Sequence, residues 1–202
     1  DNGPGNMNHV GDAFNDYDDH MGIEIRGNSS QMFPKKSYGF ELWDDTGAEI
    51  TEPLLGMPSE SDWVLSAGHS DKSLLNNPLT FDLGQRMGRY APRWRHVEVI
   101  LNGAYLGVYA LMEKIKRDGD RVSIAKLQPQ DTIGDDLTGG YIIKIDWAQG
   151  NNAAFWTSEF APPNANGAQT VEFLVDYPNT PLSQQTAYIQ AYTDSFEYAL
   201  HD

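Results

Sequence analysis

Cysteine is absent from all 202 residues. That excludes disulfides, thiol nucleophiles and thiolate metal sites, and leaves the redox compartment open. No apolar run reaches the roughly 18 residues that a membrane-spanning helix needs, so no membrane span is expected. Positive charge is missing from both ends. All 14 Lys and Arg lie between Arg26 and Lys144, whereas residues 1–25 carry six acidic groups and residues 145–202 carry seven. The net charge is −15, yet the stretch in between, with 16 acidic and 14 basic groups, is close to neutral. Nucleic-acid binding rests on a net basic face, so no nucleic-acid partner is expected, and an anion site must lie in the middle. The acidic ends favour solubility and fit an extracellular or cell-surface setting. The chain opens at Asp1 without a signal-like segment, which points to a processed product or an excised domain.

What is present argues for a folded globule, with 40% hydrophobic and 11% aromatic residues. Residues 1–20, rich in Asn, Asp and Gly, read as an acidic loop segment, and a domain over residues 21–202 follows. Met21–Ile25, Tyr38–Trp43 and Trp63–Leu65 read as strands, with Asp44-Asp45-Thr46-Gly47 as a turn. Ser70 is the expected cap of a helix reaching Met87, kinked at Pro78 or restarting there with Asn77 as cap. Leu79, Leu83 and Met87 share one face of it, and Gly88 is a natural stop. His96–Leu101 and Leu106–Met112 flank Asn102-Gly103, a strong hairpin signal. Arg121–Leu127, Tyr141–Asp146 and Val171–Val175 are further expected strands, with a long surface loop over residues 147–169. Ser183–Leu200 reads as an amphipathic helix with Ile189, Tyr192, Phe196 and Leu200 near one face. The order predicts an α+β fold, an antiparallel sheet with helices between strands.

The stretch Ile25–Leu42 passes from one β-like segment, through a polar turn, into another that opens on two lysines. Arg26, Ser29, Ser30, Lys35 and Lys36 can offer a guanidinium, hydroxyls, backbone N–H groups and ammonium groups to an anion, typically a phosphate. An ordinary hairpin with exposed lysines uses the same residue types. The turn is neither a Walker A loop nor a GxGxxG motif. Glu113 closes the apolar run Leu106–Met112. It could pair with one of those lysines, stand beside a nucleotide base, or be a solvated strand end. Lys114, Lys116, Arg117 and Arg121 form a basic patch suited to a phosphate or an acidic partner, or a solvated face of alternating charge. Asp146 at a strand end could be a metal ligand, a base or a turn cap. Asp12, Asp16, Asp18 and Asp19 could hold calcium through carboxylate oxygens, although their spacing is not that of an EF-hand; a solvated acidic loop is the alternative. The five His have no metal-ligand spacing, and nothing marks a nucleophile elbow.

Four blocks in order carry a resemblance: IEIRGNSSQMFPKKSYGFEL, LLGMPSESDWVLSAGHSDKSLLNNPLTFDLGQRMG, YAPRWRHVEVILNGAYLGVYALMEKIKRDGDRVSI and GGYIIKID. Over roughly residues 21–147 the chain resembles the CotH family of spore-coat and secreted proteins. The resemblance implies an atypical protein-kinase-like fold, ATP and Mg as cofactors, and serine phosphorylation of a protein substrate or neighbouring surface protein. Arg26, Ser29 and Ser30 would then lie over the phosphates, and Lys35 or Lys36 would resemble the strand lysine that touches the α- and β-phosphates. The helix from Ser70 to Met87 would brace that lysine, and Glu113 would stand at or near the adenine. In the family, the catalytic and metal-binding aspartates follow the helix that Ser183–Leu200 resembles, in an Asn- and Asp-rich stretch and a Trp-Asp-x-Asp-like motif. Neither is found in these 202 residues. The chain is therefore expected to be the N-terminal, ATP-binding portion of such a domain. It would be inactive in phosphoryl transfer alone and completed by the missing C-terminal part of the same protein or by another chain. The alternative is a non-catalytic extracellular structural or adhesive module with the same fold.

Overall fold

Two-residue alternation in the first half of the chain becomes a five-stranded antiparallel sheet. It holds β1 (His20–Arg26), β2 (Ser37–Trp43), β3 (Asp62–Ser66), β4 (Trp94–Leu101) and β5 (Ala104–Glu113) in the order β1-β2-β3-β5-β4. A computed structural model of the chain describes residues 2–3, 5–146, 154–162, 164–165 and 169–201. The chain divides into two compact units, Asp1–Ile115 and Lys116–Asp202. The arrangement is α+β, as the sequence predicts.

In the first unit, pairing puts Phe40 opposite both Ile23 and Trp63, and Leu65 opposite both Tyr38 and Leu111. One sheet face therefore carries the apolar residues that pack as this core. Phe40, Leu42, Trp63 and Leu111 are buried there under Leu54 and Met57 from the β2–β3 connection. Tyr17 donates its hydroxyl to the His20 and Trp43 carbonyls at 2.6 and 2.9 Å, which pins the acidic N-terminal segment to the sheet. The β4–β5 turn is the expected two-residue hairpin, with Asn102 and Gly103 both at positive φ, 51° and 80°.

Gly22 on β1 carries a packing constraint that its sequence context does not show. A Cβ built there would lie 2.3 Å from the Trp43 ring, so the indole lies directly against the β1 backbone. Gly22→Ala is expected to lower stability by about 1–3 kcal/mol, the usual cost of overpacking. Urea denaturation checks this, and a loss under a few tenths of a kcal/mol would mean that Trp43 simply swings away.

The helix after β3 departs from expectation. It is α1, Asn76–Arg86, and Ser70 does not cap it. Residues 70–74 form turns held by Asp71, whose Oδ1 accepts from the Ser73 N–H and hydroxyl and whose Oδ2 accepts from the Asn76 N–H at 2.8 Å. These hydrogen bonds, led by the Ser73 hydroxyl, hold the Asp71 carboxyl below its ordinary value. Pro78 falls in the first turn, where its missing N–H costs no helical hydrogen bond, so no kink is needed.

The second unit contains β6 (Ile142–Ile145), β7 (Phe155–Thr157) and β8 (Glu172–Tyr177), paired antiparallel as β6-β8-β7, and α2 (Ser183–His201). Trp156, Phe173, Val175 and Ile189 form its core. The expected strand over Arg121–Leu127 is absent. Only an isolated bridge between Arg117 and Val122 forms there, followed by irregular chain. The expected loop over residues 147–169 contains β7, because the apolar run Ala154-Phe155-Trp156 pairs with β8. Residues 147–153, 163 and 166–168 of that loop lie outside the described residues. On α2, burial follows Gln185, Ile189 and Thr193. Of the expected stripe only Ile189 is buried, while Tyr192, Phe196 and Leu200 are exposed.

Candidate functional site

The β1–β2 connection is short of apolar anchors, and its shape comes from glycine and lysine. Arg26 ends β1, and Gly27 turns the chain at φ 102°. A Cβ on Gly27 would fall 2.0 Å from the Ser30 Oγ, so the serine hydroxyl occupies the space that a side chain would need. Ser29–Met32 then forms a single 3-10 turn. The Gln31 amide donates back to the Gly27 carbonyl.

The two lysines have different tasks. Lys36 Nζ donates to the Gln31 and Phe33 carbonyls at 2.5 and 2.7 Å and so closes the turn on itself. Lys35 Nζ reaches across to β5, donating to the Val108 carbonyl at 2.5 Å and sitting 4.3 Å from the centre of the Tyr109 ring. Burial lowers the Lys35 pKa from its ordinary 10.5. Phe33 stacks on His69 at 4.7 Å, and the Ser37 hydroxyl accepts the Ala67 N–H at 3.0 Å. The connection is thereby fixed both to β5 and to the segment after β3. Arg26 and Ser29 remain exposed, and no acidic residue occurs from Arg26 to Lys36. Cations, hydroxyls and turn N–H groups without a carboxylate make an arrangement suited to an anion.

Glu113 stands elsewhere. It lies five residues beyond Val108 on β5, about 17 Å at ordinary strand rise. Its side chain is fully buried. Oε1 accepts from Arg93 Nε at 2.9 Å and lies 2.7 Å from Nη2, while Oε2 accepts the Arg93 N–H at 2.9 Å. Glu113 therefore pairs with neither Lys35 nor Lys36, and it is not a solvated strand end. Its charge belongs to a charge-assisted pair, with the guanidinium on one oxygen and the Arg93 backbone N–H on the other, that ties the start of β4 to the end of β5. The Asn102-Gly103 turn by itself would set Arg93 opposite Met112; the register shift between Val99 and Ile100 brings Glu113 opposite it instead, so the pair could not be read from the turn.

The remaining candidates are largely structural. Lys114 pairs with Asp62 at 2.9 Å; Arg117 lies over the Tyr177 ring and Arg121 is buried, so they are not an open basic patch. Asp146 is exposed just past β6. Among the N-terminal aspartates, Asp12 accepts from Asn2 and His9, Asp16 from the Leu55 N–H, and Asp19 from His20. Asp12 and Asp19 hold local loop structure, and Asp16 ties the N-terminal segment to the β2–β3 connection. Carboxylates do converge at a place the sequence did not suggest. Ligand oxygens of Glu49, Glu60 and Asp62 lie within 4.8 Å of one another. The Ser61 hydroxyl donates to Glu49 at 2.5 Å and the Lys114 ammonium pairs with Asp62, so hydrogen bonds and one cation already compensate this cluster.

A family model described as CotH kinase protein matches the chain over residues 23–199. The chain belongs to the CotH kinase family. No curated protein matches it. The CotH match begins in β1 and runs nearly to the end of α2, so it takes in both units and the whole anion-suited connection.

Family membership suggests ATP and metal use, and the two fit this chain unequally. The β1–β2 connection suits phosphates. The Glu49, Glu60 and Asp62 cluster does not suit a metal that bridges those phosphates. It lies at the Glu41–Asp62 end of the β2–β3 ladder, whereas the connection enters β2 at the Ser37 end.

Proposed function

We propose that this chain is the ATP-binding portion of a secreted CotH-like atypical protein kinase acting on serine of partner proteins. The observation that carries the reading is the carboxylate-free connection Arg26–Lys36, folded back on itself by Lys36 and held against β5 by Lys35. Arg26, Ser29 and Ser30 take the phosphates. Lys35 turns from the Val108 carbonyl to an α- or β-phosphate, a change of partner within reach of a flexible four-carbon stem. Glu113 contributes through the hairpin end that it fixes, close to where the base would lie in a kinase-like arrangement. Among the described residues no carboxylate cluster stands beside this connection. Phosphoryl transfer depends on metal-assisted charge neutralisation, so the 202-residue chain is expected to bind nucleotide without transferring phosphate.

A second reading rests on the same geometry. Both lysines already have carbonyl partners, which is the condition of a scaffold that needs no ligand. An extracellular structural or adhesive module would look like this. Titrating Mg-ATP against the wild-type chain and a Lys35→Ala/Lys36→Ala variant while following thermal unfolding separates the two. A rise in Tm for the wild type that the variant lacks supports the nucleotide reading, because ligand binding to the folded state stabilises it by mass action. No rise in either leaves the scaffold, and equal rises remove the phosphate role from these two lysines. Serine phosphorylation by the 202-residue chain would overturn the expected lack of transfer.

A further inference from the structure

Helix α1 is amphipathic in the wrong direction for a helix that only serves its own sheet. Pro78 is its one buried residue. Leu79, Leu83 and Met87, spaced four apart and thus aligned along one face, are 60%, 59% and 69% exposed. Leu75, one turn earlier on the same line, is also exposed. The stripe continues into cationic surface. Arg86 lies on the same side of the helix and Arg89 follows just past its end; both are exposed, and among the described residues neither has an ion-pair partner. In a chain of net charge −15, the segment from Arg86 to Arg95 holds four Arg and no acidic residue.

We infer that this face of α1 is a docking surface for an acidic amphipathic helix of a partner protein, a reading independent of the nucleotide proposal. The apolar row supplies the area that such a helix would bury. Ridges spaced four residues apart fit the grooves of a second helix. The two unpaired guanidiniums select the sign of its flanking charge, since like charge at the rim is penalised and opposite charge steers the encounter. A basic partner would meet Arg86 and Arg89 and be repelled. An extended peptide would match the four-residue spacing poorly, because its side chains repeat every two residues.

The test uses the full 202-residue chain and two synthetic 18-residue amphipathic helices with the same leucine stripe, one carrying only Glu on its polar face and the other only Lys. Binding is read by fluorescence anisotropy, and hydrogen exchange locates the contact. The acidic peptide is expected to bind at least tenfold more tightly than the basic one and to protect residues 76–89. Leu83→Ser should weaken binding at least tenfold. Arg86→Glu/Arg89→Glu should reverse the preference between the peptides while leaving thermal unfolding of the free chain unchanged, which shows that the variant is folded. No acidic preference, or binding unaltered by either variant, overturns the proposal. So does a concentration-dependent dimer in which residues 76–89 become protected, which would make a second copy the occupant. Protection of residues 76–89 in a longer form of the protein without any peptide would equally replace the partner with the chain's own continuation.

Discussion

Arg93→Ala should cost about 3 kcal/mol of folding free energy, at the lower end of what breaking a buried ion pair costs. The carboxylate of Glu113 has no exposure, and Arg93 supplies Nε at 2.9 Å and Nη2 at 2.7 Å to one of its oxygens. Removing the guanidinium leaves a buried charge in a medium that solvates it poorly. Two features keep the cost from the top of the range. The Arg93 N–H still donates to Oε2 at 2.9 Å, and the Arg93 side chain is 35% exposed, so water can enter where it stood. The loss should spread along the hairpin, since the Glu113 N–H bonds the Arg93 carbonyl at 3.1 Å and Glu113 faces Trp63 of the core. Urea denaturation gives the value. A double replacement, Arg93→Met with Glu113→Leu, should recover most of it, because an apolar pair removes the desolvation problem along with the attraction. A single-variant cost under 1 kcal/mol would mean that the pair is solvated in solution and that hairpin register alone holds the ends together.

The strands of the first unit were legible because they obey a two-residue period and are bounded by turn residues. Asn102-Gly103 even fixed the hairpin, since both positions require positive φ. Helix α1 was legible as a helix but not in its start. Ser70 resembles a cap by residue type, yet Asp71 closes a turn before the helix and takes the Asn76 N–H, a choice that depends on where the chain leaves β3. Arg121–Leu127 shows the limit of apolar pattern: its residues alternate, but among the described residues it has only the Arg117–Val122 bridge to pair with. The exposed faces of α1 and α2 show the same limit differently. Periodicity identifies which residues share a face, and says nothing of whether that face is covered. For the site, residue types in the β1–β2 connection were a sound guide to its chemistry. The partners were not, because Lys35 crosses 73 positions to reach Val108 and Glu113 is claimed by an arginine 20 positions away. Long-range pairing of this kind follows from sheet order, which the local sequence does not encode.

Lys35 should give the functional reading its sharpest signature, a fall in Mg-ATP binding at a pH below that at which an ordinary lysine loses its proton. Its ammonium is partly desolvated between the Val108 carbonyl and the Tyr109 ring, and burial depresses its pKa from 10.5. With the folded value below the unfolded one, the unfolded chain binds more protons in the window between them. Stability contributed by Lys35 therefore rises with pH across that window, which ends near 10.5. Phosphate binding runs the opposite way, because it needs the ammonium. At a hundredfold excess of ligand over Kd, binding adds about 2.7 kcal/mol to stability. A tenfold loss of affinity in the window removes about 1.4 kcal/mol of it. Lys35→Arg keeps its charge through the whole range and should hold its affinity there, although the planar fork alters the fit. Lys35→Met keeps the packing over Tyr109 and loses the charge, so it should bind Mg-ATP at least tenfold more weakly at pH 7 while the ligand-free stability changes by less than about 1 kcal/mol. Thermal unfolding with and without Mg-ATP across pH 7 to 10.5 measures both curves at once. Equal ligand stabilisation in wild type and Lys35→Met, with no pH trend in either, would make Lys35 a strut that holds the β1–β2 connection to β5 and would move the phosphate contacts to Arg26 and the turn N–H groups alone.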